Sequence, residues 1–243
     1  MKDEISFLDH LKELRARLIK SLIVVGLFFV PFIPFANEIY LLVSSPLQQI
    51  LPANSSMIAT EVASPFIAPL KISFFVSLFF SIPYSIVQIW GFIAPGMYED
   101  EKAFAFGIFL SSLVLFYVGV FFSYFVILPL VFNFFTSSAP EGIVLMTDIS
   151  RYLDFIFSIF FAFGISFEIP VLIFLLCWTG ISSVESLALK RPYVLITCFI
   201  FGMIITPPDV ISQILLALPA YLLFEVGLLC SKIFIQERKK INF

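Results

Sequence analysis

Long apolar runs separated by short polar islands make up almost the whole chain. The runs predict helices over about residues 18–35, 66–92, 104–135, 152–178, 193–205 and 210–229. Most reach or approach the ~20 apolar residues a helix needs to cross a hydrocarbon layer of roughly 30 Å. Ahead of the first run, Ile5, Leu8, Leu11, Leu14 and Leu18 fall at spacings of three and four and form one stripe. Asp9, Lys12, Glu13, Arg17 and Lys20 lie off that stripe, and Ser6 with Asp9 fits a helix-capping pair. Residues 1–17 are therefore expected to lie on the membrane surface before the first span turns inward. Pro31 and Pro34 close that span. Residues 37–65 contain no Lys or Arg and hold a helically spaced stretch broken by Pro46 and ended by Pro52; they are expected to form an outer lid of loops. Pro69 and Pro83 predict kinks in the second span. As a helix the third run is about 48 Å long, more than the hydrocarbon needs, whereas the fifth is only about 20 Å.

Composition sharpens this into a class. The chain has 243 residues, of which 60% are hydrophobic and only 13% charged, with a mean hydropathy of +1.07. A soluble domain is about half apolar and a quarter charged. The expected fold is an all-α integral membrane protein, a single polytopic domain over 1–243 with six transmembrane helices in a concave bundle. No stretch has room for a large extramembrane domain. Of 14 Lys and Arg, all but Lys71 and Arg151 fall on one side if both termini are cytoplasmic, which is the bias that sets orientation. The N-terminus lacks the form of a cleavable signal peptide, since its charged region is long and no small-x-small site follows. Cys177, Cys198 and Cys230 sit in apolar runs and read as small buried side chains.

Charge is scarce, so its placement carries information. Phe92-Ile93-Ala94-Pro95-Gly96-Met97-Tyr98-Glu99-Asp100-Glu101-Lys102 forms an acidic island after a Pro-Gly turn. On the cytoplasmic face, three consecutive acids suit a docking site for a cationic ligand, because arginine forms paired charge-assisted hydrogen bonds with carboxylates. A solvated loop tip is the plainer account of them on sequence alone. Glu13 shares that face; its plain alternative is an i,i+4 pair with Arg17. Glu168 lies deep in the fourth run, where an ionisable residue is costly and is by default functional; a packing hydrogen bond to a neighbouring helix is the structural alternative. In the outer turn between the last two runs, Asp209 fits a helix cap. Thr206 and Gln213 flank it and suit hydrogen bonds to an incoming helix. No HExxH, GxSxG or Walker loop is present, and His10 is the single histidine. That gives no catalytic residue to name and no expected metal, nucleotide, cofactor or nucleic-acid partner.

Several of these segments together resemble the TatC family, the multi-spanning receptor subunits of the twin-arginine protein translocase. They are His10-Leu11-x-Glu13-Leu14-Arg15-x-Arg17, Phe92-Ile93-Ala94-Pro95-Gly96-Met97-Tyr98-x-x-Glu101, Ala162-Phe163-Gly164-x-x-Phe167-Glu168-x-Pro170, Lys190-Arg191-Pro192-Tyr193 and Thr206-Pro207-Pro208-Asp209. Met57-Ile58-Ala59-Thr60 and Thr147-Asp148-Ile149 resemble the family's outer loops, so Pro46, Asp148 and Asp209 are expected to be structural there. The resemblance implies a glove-shaped six-helix scaffold in the bacterial inner membrane, receiving twin-arginine signal peptides of folded cargo. It implies signal-peptide contacts at Glu13, Arg15, Phe92, Met97 and Glu101, with Glu99 beside them, and a role for Glu168 in the concave fourth helix. Single-span partners TatA and TatB are expected at the short fifth and sixth helices, near Met203, Thr206 and Gln213. Self-association, lipid contacts and drive by the proton motive force without nucleotide also follow. Met97 departs from the family's usual leucine, and the extra acids Glu99 and Asp100 leave open which carboxylate meets which arginine. A proton-coupled small-solute carrier using Glu168 is the rival; it predicts internal repeats and a midplane polar site, and no convincing repeat is visible.

Overall fold

The computed structural model describes residues 7–49, 56–93, 99–138, 146–205 and 210–241. Apart from two three-residue strands, the regular structure is helical. Helix α1 spans Phe7–Phe32, followed by a 3-10 turn at Ile33–Phe35 and α2 over Ala36–Gln48. Strand β1 is Ser56–Ile58, and α3 spans Ser64–Ile93. Helix α4 (Glu99–Phe122) passes through a π-helical turn at Ser123–Ile127 into α5 (Leu128–Ser137). Strand β2 (Met146–Asp148) leads into α6 (Ile149–Ser166) and α7 (Ile169–Trp178). Helices α8 (Val184–Ala188), α9 (Arg191–Ile205) and α10 (Val210–Ile241) complete the order.

Among the described residues, five helical stretches are long and apolar enough to cross a membrane: Leu11–Gln48, Ser64–Ile89, Phe106–Ser137, Ile149–Trp178 and Val210–Phe234. Helix α9, with 15 residues, is apolar but shorter; at 1.5 Å per residue it covers about 22 Å. The protein is an all-α integral membrane protein. Its exterior is correspondingly apolar, with Leu22, Leu27 and Val30 on α1 and Ile204 on α9 all exposed.

Three expectations need correction. The N-terminal amphipathic segment does not form a separate surface helix within the described residues; from Phe7 it is the first part of α1. No Pro or Gly lies between Phe7 and Ile19, so nothing interrupts a cooperative ladder of backbone hydrogen bonds. The outer segment after the first span is not all loop, because residues 36–48 are helical around Pro46. The sixth run is not short, since its apolar stretch continues to Phe234.

The chain divides into two compact units, one from residues 1–44 and 59–113, the other from 45–58 and 114–243. In the first, α1 packs on α3. Ser73, Ser77 and Ser81 recur every fourth residue and are fully buried. Their small side chains suit close packing of helices in lipid, and each hydroxyl is satisfied by a nearby carbonyl. Ser73 Oγ donates to Pro69 O (2.9 Å) and across to Phe32 O (3.2 Å). Phe32 and Phe80 rings meet with centroids 5.0 Å apart.

In the second unit α6 is central. Leu153, Ile156 and Ile159 have no exposed surface, nor do Leu128 and Val131 of α5. Gly119 of α4 faces α6 so closely that a Cβ there would lie 2.6 Å from the Phe163 carbonyl oxygen. The fourth run breaks at Phe167–Glu168 between α6 and α7. Pro170 explains the break: it lacks the N–H that would continue the ladder and disfavours helical backbone just before it. Helices α7 and α10 share a core of Ile173, Cys177, Phe224 and Leu228. Strands β1 and β2 pair in parallel, with Met57 opposite Thr147. They join the two segments read from the sequence as outer loops.

Candidate functional site

The acidic island sits differently from a free loop. Helix α4 begins at Glu99, so Glu99, Asp100 and Glu101 occupy its first turn. A helix N-terminus presents unsatisfied N–H groups and a partial positive charge, which favours carboxylates. The physics of helix starts therefore supplies a structural reason for the acids alongside any ligand. Their side chains, and all of Met97, lie outside the described residues.

Glu13 is better defined. Arg17, one turn on, donates to Glu13 Oε1 through Nη2 at 2.6 Å and Nε at 2.9 Å. The same guanidinium reaches α3: Nη2 donates to the Gly91 carbonyl at 2.8 Å and Nη1 to that of Gln88 at 3.4 Å. The Gly91 carbonyl lies in the last turn of α3, where a cation is favoured, and Gln88 lies just before it. Arg17 thus ties Glu13 to the residue just before Phe92, and Phe92 is half-buried. Gly91 makes the approach possible, since a Cβ there would collide with the Arg17 guanidinium. Arg15, on the exposed side of α1, is not part of this clasp. The spacing of four gave Arg17 as the pair partner of Glu13, as the structure has it, but its reach to α3 was not legible.

The other predicted residues fall in the second unit or outside the described residues. Glu168 occupies the N-cap position of α7 without capping it by its side chain. Its Oε1 is buried and accepts no hydrogen bond, while the residue as a whole makes other interactions. Gln213 donates through Nε2 to the Phe199 carbonyl at 2.8 Å, pinning α10 to α9. Met203 is exposed at 54%. Thr206 and Asp209 lie outside the described residues. Pro46 is buried, and the neighbouring Ser45 and Tyr124 hydroxyls share a 2.9 Å hydrogen bond. Asp148 caps α6 by accepting from the Arg151 N–H at 3.0 Å.

A second ionic cluster was not anticipated. Arg191 grips Glu225 as a fork, Nε to Oε1 at 2.6 Å and Nη2 to Oε2 at 2.8 Å, and the Tyr221 hydroxyl donates to Oε1 at 2.9 Å. A lone acid in an apolar helix demands a partner, which was the signal. The 34 residues separating the pair hid which cation answers it.

The family model for the Sec-independent protein translocase protein (TatC) matches residues 9–219. The chain belongs to the TatC family. It is 54% identical over 218 residues to the TatC protein of Azotobacter chroococcum mcd 1, covering 90% of this chain and 86% of that one. It is 50% identical over 235 residues to TatC of Escherichia coli K12, with 97% and 91% covered. A crystal structure described as the twin-arginine translocase receptor TatC superposes with a TM-score of 0.81 at 32% identity, covering 92% of this chain and 98% of that one. Membership of the TatC family favours a translocase component over a small-solute carrier.

Proposed function

We infer that this chain is the receptor subunit of a twin-arginine translocase, binding the signal peptides of folded cargo at the cytoplasmic face. One observation carries the residue-level reading. Glu13 already holds a guanidinium by charge-assisted hydrogen bonds, at the end of α3 and next to Phe92. A cargo arginine calls for the same chemistry, and Glu101 in the first turn of α4 supplies the second carboxylate. Arg15 and Met97 complete the contact surface, and Glu99 and Asp100 add negative potential. Glu13 Oε2 takes no part in the Arg17 bonds, which both end on Oε1, so a second guanidinium has an oxygen to approach.

In this reading the chain sits in the bacterial inner membrane with both termini cytoplasmic, as its Lys and Arg bias favours. The signal peptide's apolar part passes to Glu168, whose buried Oε1 accepts no hydrogen bond. Single-span TatA and TatB subunits assemble beside α9, around Met203 and Thr206, where a helix of about 22 Å thins the bilayer. Several copies of the chain work in one complex, and the proton motive force drives export. Reversing charge at Glu13 and Glu101 together, and measuring crosslinking to a twin-arginine signal peptide, tests the assignment. Loss of crosslinking is expected; undiminished crosslinking in a folded double variant contradicts it.

A further inference from the structure

Helix α9 has an unusual need for polar fastening. It packs mainly on α10, and of its 15 residues only Cys198 and Gly202 are buried. Lipid tails are as apolar as leucine, so no hydrophobic drive presses such a helix onto its neighbour. Opposite the buried pair, Tyr193, Ile196, Ile200, Met203 and Ile204 fall at spacings of three and four and are all exposed. We propose that Arg191, Glu225 and Tyr221 act as a positioning group for α9, setting where this stripe stands for a partner's transmembrane helix. The partner part rests on the reading that single-span subunits assemble beside α9.

The group is built for placement. Arg191 is the first residue of α9. Glu225, on α10, has both oxygens engaged: Oε1 by Arg191 Nε and the Tyr221 hydroxyl, Oε2 by Arg191 Nη2. A planar guanidinium meets a carboxylate as a fork in one orientation, so the start of α9 is fixed in direction as well as distance. Met203 lies twelve residues on, about 18 Å along the helix, so the group reaches a helix docked there only through α9. Further along, Gln213 Nε2 donates to the Phe199 carbonyl at 2.8 Å. That bond is a pivot. Tyr193 lies about 9 Å to one side of Phe199 along α9 and Ile204 about 7.5 Å to the other, with Ile200 beside it. Once the fork is broken, α9 swings about Phe199 and both its ends move.

Electron–electron spin-resonance distances in the detergent-purified full-length protein test this, using genetically encoded spin labels. Leu172 is the reference, since it is exposed on α7 and α7 shares a core with α10. In Arg191→Gln and in Glu225→Gln, the distances from Leu172 to Tyr193 and to Ile204 should shift, and that to Ile200 should shift least. The exchange of Arg191→Glu with Glu225→Arg should return them towards wild type. Photocrosslinking from Ile204 to a co-expressed single-span subunit should fall several-fold in the single variants and recover in the exchange. Unchanged distances in the folded single variants, or a shift as large at Ile200 as at Tyr193 and Ile204, overturns the proposal. Shifted distances with undiminished crosslinking would uphold the positioning of α9 and overturn instead the reading that partners assemble beside it.

Discussion

Arg17 serves two partners at once, and this makes its neighbourhood sensitive to small changes. Replacing it with alanine removes a paired contact to Glu13 and a cap on α3, at a cost of about 1–2 kcal/mol, since the pair is only part-buried. Lysine should recover part of that, because an ammonium lacks the fork that reaches a carboxylate and a carbonyl together. Gly91→Ala should act on the same link without touching either charge, by pushing the guanidinium off the carbonyls of Gln88 and Gly91. Thermal unfolding of the three variants should rank them alanine at 17 lowest, then lysine at 17 and alanine at 91. A Gly91→Ala protein as stable as wild type would mean that the cap on α3 contributes nothing. For Arg191 and Glu225, a double-mutant cycle should show non-additive effects on stability. Additive effects would show that the fork is unimportant to stability.

Among the elements, the α4–α6 crossing depends on Gly119. A methyl group there would press on the backbone of Phe163 as well as on the Phe167 ring, and backbone cannot swing aside as a guanidinium can. Gly119→Ala should destabilise the second unit by about 1–3 kcal/mol while leaving the Glu13–Arg17 clasp in the first unit intact. Hydrogen exchange would report this as loosened amides in α6 and unchanged protection in α1. Much of this level was legible from the chain. Six apolar runs gave the helices, and Pro170 accounts for the break beside Glu168. The β1–β2 pairing was not legible, because three residues are too few to show an alternating pattern. The continuity of α1 was missed because amphipathic spacing before an apolar run reads the same whether the chain bends between them or not. Local periodicity reports which face is apolar; it does not report where a neighbouring helix or strand lies.

For the whole molecule, a lipid-embedded helical frame carries Glu13 in α1 and begins α4 with Glu99, Asp100 and Glu101. The sequence showed the candidate acids because charge is scarce in an apolar chain. It offered the Glu13–Arg17 pair, which the structure has, but did not show that Arg17 also reaches α3 or that Glu99 to Glu101 start a helix, since both depend on how backbone termini are satisfied. The frame predicts that recognition rests on guanidinium geometry and not on positive charge alone. The most direct measurement is retention of a twin-arginine precursor by the purified protein, compared with the same precursor carrying two lysines. Lysine keeps the charge but loses the paired donors, so retention should fall about tenfold, equivalent to roughly 1.4 kcal/mol. Equal retention of the two precursors would contradict the claim that carboxylates at the ends of α1 and α4 read arginine.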